Sequence, residues 1–267
     1  MKEYLSHLSV TTWIVLASLT IGVAITLPER VYSVSIFGSP VEFRLTASFL
    51  AGLVALATTW AGLEAALRTH PRKDLLRHSF LFWGLPTAIV LTGAVLLPAL
   101  NNRSMWIITL SLTGAILAAS MAGEYHTIDP QNPAYANARL LLNGLDYAVA
   151  AVAFALIYLS RNRSLISATL IGIMAGLLAM DLLRNNETST KKTLLYSGLI
   201  AFILAQFTVA LNYWPFASAR VALILLVGFY LLVGLTQQAM RKGLNRRRTF
   251  EYLFMFMVSV ALIVFFP

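Results

Sequence analysis

The sequence predicts an all-α polytopic membrane protein of about nine transmembrane helices, with its N-terminus in the cytoplasm and a short outer β-hairpin after the first helix. Three observations carry that expectation. Of 267 residues, 58% are apolar and 12% charged, where a soluble domain has about 45–50% and about 25%. The mean hydropathy is +0.75. The apolar residues fall into nine runs, and about 20 apolar residues suffice to cross a bilayer as a helix.

The runs are Val10–Leu27, Thr46–Leu67, Ser79–Leu100, Trp106–Gly123, Ala136–Ser160, Ser164–Leu183, Thr193–Phe216, Ala219–Met240 and Phe250–Phe266. The first has no small-x-small cleavage site and reads as a retained span. Pro86 is expected to kink the third run. Thr249 with Glu251 reads as the capped start of the ninth. Gly172 and Gly176 suit close helix packing within a bundle. Short connections make neighbouring helices adjacent and antiparallel, so residues 1–267 read as one transmembrane domain.

The chain carries 20 Lys and Arg against 11 Asp and Glu, a net +9. In a soluble domain that excess suggests nucleic acid. Here the cations sit in short connections between apolar runs, so the expected partner is the bilayer, and no nucleic acid is called for. Counted on alternate connections, 14 Lys and Arg lie on the N-terminal side and 6 on the other. The positive-inside rule then puts the N-terminus in the cytoplasm.

Two connections have patterns of their own. Over 31–45, Tyr32, Val34 and Ile36 alternate with serines, and Val41, Phe43 and Leu45 alternate with Glu42 and Arg44, on either side of Gly38-Ser39-Pro40. That is the outer hairpin. The stretch Glu124–Asn137 contains two prolines and reads as a structured cytoplasmic turn.

Polar groups inside hydrocarbon are costly, and each needs a partner or a purpose. Glu64 has Arg68 four residues on, and Asp181 has Arg184 three residues on, spacings at which helical neighbours pair. Asp146 has no basic residue at that spacing. Asn143 shares its face, and Arg139 lies two turns back with reach towards it. Asp146 is therefore the first candidate for a functional carboxylate. Gln206, inside the seventh span, needs a neighbour. Glu64, Asp181, Asp146, Asn143, Gln237 and Gln238 fall in the cytoplasmic thirds of their spans, with Glu124, His126 and Asp129 in the following turn, which suggests a polar pocket open to the cytoplasm. The spacing E-x-H-x-x-D matches no strong metal motif, so no metal is expected. Nucleotide-binding loops, zinc-protease motifs and nucleophile elbows do not occur in the sequence. All four histidines fall outside the spans, which argues against a haem bundle, and no cofactor is expected.

Three stretches, Arg163–Thr169 (RSLISAT), Asp181–Arg184 (DLLR) and Ala210–Pro215 (ALNYWP), together with the hairpin segment, carry a family likeness. With them the chain resembles an uncharacterised family of polytopic membrane proteins from green non-sulfur bacteria. The resemblance implies a bacterial cytoplasmic membrane and brings no activity with it.

Three functions remain in order. The first is an accessory or scaffold subunit of a membrane assembly, with a membrane-protein partner or a second copy of the chain. The second is a small transporter or permease using Asp146. The third is a membrane-embedded enzyme acting on lipid through Glu124, His126, Asp129 and Asp146. The weight leans away from an enzyme.

Overall fold

The fold comes from a computed structural model. It describes every residue except 1, 26, 27, 29, 37, 38, 77, 161–163, 185–188, 215, 216, 243–245, 266 and 267, and at 2, 3, 30, 32–36, 39–44, 242, 246, 248 and 249 it describes the backbone alone. Gly38, Arg77, Arg161, Arg163 and Pro215, all used in the sequence reading, lie outside the described residues.

Among the described residues there are nine α-helices. They are α1 (Lys2–Ala24), α2 (Ala47–Arg68), α3 (Gly84–Ala99), α4 (Arg103–His126), α5 (Tyr135–Leu159), α6 (Ser164–Arg184), α7 (Thr190–Leu211), α8 (Ser218–Lys242) and α9 (Arg246–Phe265). Seven are long and apolar enough to cross a membrane; Gly84–Ala99 and Phe250–Phe265 are shorter apolar helices. Between α1 and α2 the backbone runs as β1 (Arg30–Ile36) and β2 (Ser39–Leu45), registered antiparallel with Arg30 opposite Leu45 and Val34 opposite Val41.

Local chemistry sets several helix ends. The Thr46 hydroxyl accepts from the Phe49 amide at 3.2 Å and caps α2. Asn102 Oδ1 accepts from the amides of Ser104 and Met105 at 2.9 and 3.3 Å and caps α4. Both satisfy N–H groups that a helix start leaves unbonded.

The structure corrects three expectations. The third run is not one helix: a 3-10 turn, Ser79–Phe82, precedes α3. Pro86 is the third residue of α3, in the first turn, where its missing N–H breaks no helical bond. It therefore belongs to the helix start and not to a kink. Likewise α4 continues through Glu124 to His126, and the turn is only 127–134. Its prolines, Pro130 and Pro133, restrict the residues before them and leave Glu124 free to stay helical. Finally, α9 starts at Arg246, so Thr249 is already inside the helix and does not cap it.

The chain divides into two compact units, residues 1–76 with 89–138, and residues 77–88 with 139–267. In the first, α1 and α2 run antiparallel: Gly22 lies against Ser48 and Ala51, and Gly62 lies against Thr11. The Ser48 hydroxyl donates to the Gly22 carbonyl at 3.0 Å. Gly93 of α3 faces Thr113 of α4. In the second, α6 and α7 are antiparallel through Gly172 and Gly176, whose missing side chains leave room for Ala201. Gly228 and Gly234 of α8 similarly receive Phe256 and Tyr252 of α9. Small residues permit this approach where lipid offers no competing hydrophobic drive.

Candidate functional site

In the second unit the buried polar groups centre on the end of α6. Asp181 is 0% exposed. Its Oδ1 lies 2.9 Å from Arg184 Nη2 and 3.7 Å from Arg139 Nη1. Arg139 Nη2 also donates to the Asp181 backbone carbonyl at 2.6 Å. Gln237 Nε2 of α8 donates to the next carbonyl, Leu182, at 3.0 Å. The Arg184 guanidinium carbon stands 3.8 Å over the Phe82 ring.

The chemistry follows from position. The last carbonyls of a helix have no partner within it and carry the negative end of its dipole. Arg139 from α5 and Gln237 from α8 supply donors to two of those of α6, and two guanidinium groups flank one carboxylate. The arrangement closes a helix end inside a bundle and fastens three helices together. Arg139 thus reaches Asp181, not the Asp146 that lies on its own helix.

Asp146 is also fully buried, two turns after Arg139 on α5. Asn143, one turn before it, is half-buried. Next to it, Tyr147 packs edge-on against Phe229, with centroids 5.9 Å apart, and lies 5.6 Å from the Tyr230 ring. Gln206 is exposed. The packed stripe of α7 runs through Ser197, Ile200, Leu204 and Thr208, and Gln206 falls opposite it.

Between α8 and α9 the same unit has a cavity of about 540 Å³ lined by Tyr230, Gln237, Gln238, Arg241, Glu251 and Tyr252. Glu251 pairs with Arg247 at 3.4 Å.

In the first unit, Glu64 pairs with Arg68 at 2.8 Å, with Arg68 largely exposed. Glu124 is buried in the last turns of α4. The Tyr4 and Tyr125 rings stack at 3.9 Å, and His126 meets Tyr4 edge-on at 6.2 Å. His70 meets Tyr125 edge-on at 4.7 Å. Asp129 pairs with Arg72 at 3.6 Å and accepts from the Gln131 amide at 3.0 Å, which ties down the α4–α5 turn. His70 Nδ1 accepts from the Arg72 amide at 3.0 Å. Burial is the main reason that His70 holds its proton less readily than its ordinary value of 6.5 implies; His126 and Arg72 add to that, while Asp129 and Asp74 oppose it. Among the described residues no group of three His, Asp or Glu is arranged to hold a metal.

Apolar helices of spanning length, with Asp181 buried between Arg139 and Arg184, fit the class of multi-pass helical membrane proteins. Within that class, residues 27–266 match the family described as a protein of unknown function (DUF5656), and the chain belongs to that family. No curated protein and no solved structure matches it. The family brings no activity to the residues above.

Sequence reasoning missed Gln237 as a helix-capping group and Arg139 as the partner of Asp181. A glutamine near the end of an apolar run is a signal that a neighbouring helix needs a donor, but not which helix.

Proposed function

We propose that the protein is an accessory or scaffold subunit of an assembly in a bacterial cytoplasmic membrane. One observation carries the reading: Asp181, fully buried at the end of α6, is committed to holding α6 to α5. Glu64, Asp129, Asp181 and Glu251 each have an arginine within ion-pair distance. A coupling or catalytic carboxylate must change partners during its cycle, and Asp181, with two arginines and no exposure, is placed to keep its own. The test is purification of the tagged full chain from its native membrane in mild detergent, followed by native mass spectrometry. A stoichiometric membrane-protein partner or a second copy is the expected result. A monodisperse single copy overturns the reading.

The proposed topology has nine crossings with the N-terminus inside. Contacts in the first unit gather the start of α1 with the ends of α2 and α4, through Tyr4, His70 and Tyr125. For α2 and α4 to end together, α3 must return the chain between them, although it has only 16 residues, about 24 Å. In the second unit the start of α5 and the ends of α6 and α8 meet at Arg139, Asp181 and Gln237. These are the ends that the Lys and Arg count assigns to the cytoplasm. The ribbon of β1 and β2 then lies outside.

A second reading, transport, has one supporting observation: Asp146 is 0% exposed in the interior of α5, with Asn143 on the same face. In that reading Asp146→Asn folds but abolishes flux. Wild-type growth or flux in both Asp146→Asn and Asp146→Ala removes it.

A further inference from the structure

We propose that the groove between α8 and α9 holds the phosphate headgroup of an anionic phospholipid from the leaflet on the Arg241 side. The inference stands apart from the scaffold reading. The cavity of about 540 Å³ is graded along its length. Arg241, Glu251, Gln238 and Gln237 line one end; Tyr230 lies eleven residues back from Arg241 on α8, about 16 Å along the axis. Met255, 57% exposed, continues the wall as hydrocarbon. That order, charged and amide groups at the Arg241 end and Tyr230 and Met255 deeper, follows a phospholipid from headgroup to acyl chain.

Each group has a fitting role. A guanidinium meets a phosphate with paired, charge-assisted hydrogen bonds. The Gln238 amide adds a neutral donor. Gly234 shapes the groove, because a side chain there would collide with the Tyr252 ring. The Glu251 carboxylate also lines the cavity, and its charge is met by Arg247 at 3.4 Å. In sequence, Arg241, Lys242, Arg246, Arg247 and Arg248 place five cations within eight residues. Such a cluster draws anionic lipid to a membrane surface. A free anion would occupy only the Arg241 end and leave the tyrosine and methionine walls without a ligand.

The experiment titrates the purified full chain, in an uncharged detergent, with phosphatidylglycerol, phosphatidylcholine and inorganic phosphate, read by native mass spectrometry. Phosphatidylglycerol is expected to bind at least about tenfold more tightly than phosphatidylcholine. Arg241→Gln should lose about tenfold for phosphatidylglycerol alone, the scale of one hydrogen bond to a charged group. Gln238→Ala, with an unchanged melting temperature, should lose a smaller factor in the same direction, which keeps the test open if Arg241→Gln fails to fold. Equal binding of the two lipids, or wild-type binding by the variants, overturns the proposal. Displacement of the lipid by millimolar phosphate overturns it too, since the site would then serve a soluble anion.

Discussion

Arg139 and Asp181, 42 residues apart in the chain, are joined twice: the guanidinium donates to the Asp181 backbone carbonyl at 2.6 Å and stands 3.7 Å from its carboxylate. The first contact ends α6 and the second neutralises a fully buried charge. Buried charge pairs gain little when formed but cost much when one partner is removed.

Asp181→Ala is therefore expected to lose about 3–5 kcal/mol, because two buried guanidinium groups are left facing each other. Glu64→Gln breaks a pair whose arginine is largely exposed, and should cost under about 1 kcal/mol. Thermal unfolding of both variants in detergent checks this. Equal losses would show that the α6 cluster is not a brace.

Gly84→Ala should destabilise by about 1–3 kcal/mol, since a Cβ there overlaps the Leu177 backbone carbonyl, which belongs to a packed helix and has no room to retreat. Gly144→Ala, inside α5 with open space around it, should instead gain up to about 1 kcal/mol from helix propensity. The two melting temperatures should move in opposite directions.

His70 gives stability a pH dependence. Burial lowers its proton affinity in the fold, so below the ordinary value of 6.5 the unfolded chain takes up protons that the native one resists. Stability should be fully present above that value and fall as the pH drops through it. Protonation also turns Nδ1 from acceptor to donor and breaks its bond with the Arg72 amide. His70→Asn keeps an acceptor near that atom and does not titrate. Unfolding between pH 7.5 and 5.5 should show a shallower slope for the variant; an unchanged slope would assign the effect to another group.

Topology can be read directly, because the sequence has no cysteine. Asn101 and Tyr213 are exposed at connections assigned to the outside, and Asp74 and Gln131 at connections assigned to the cytoplasm. In intact cells a membrane-impermeant maleimide should label Asn101→Cys and Tyr213→Cys, and reach Asp74→Cys and Gln131→Cys only after permeabilisation. Equal labelling of Asp74→Cys and Asn101→Cys would mean that α3 does not cross.

Much of the fold is legible in the residues because its causes are local. Seven helices follow from apolar runs of sufficient length, and the pairs Glu64–Arg68 and Asp181–Arg184 follow from helical spacing. The start of α3 was harder. Phe82 and Trp83 are as apolar as the helix they precede, so hydropathy does not separate a 3-10 turn from a span. Gln206 shows the same limit: in a run that is apolar all round, only the packing stripe through Leu204 and Thr208 tells which face is covered.

The sequence by itself determined the class of protein, the number of apolar helices and the bias of charge between connections, since each depends on residues close together in the chain. Only the tertiary structure decided that Arg139 serves Asp181, that Gln237 caps α6 at Leu182, that Tyr4 stacks on Tyr125, and that α8 and α9 leave a polar groove. Those contacts join helices far apart in sequence, and hydrocarbon-compatible faces differ too little to announce their partners.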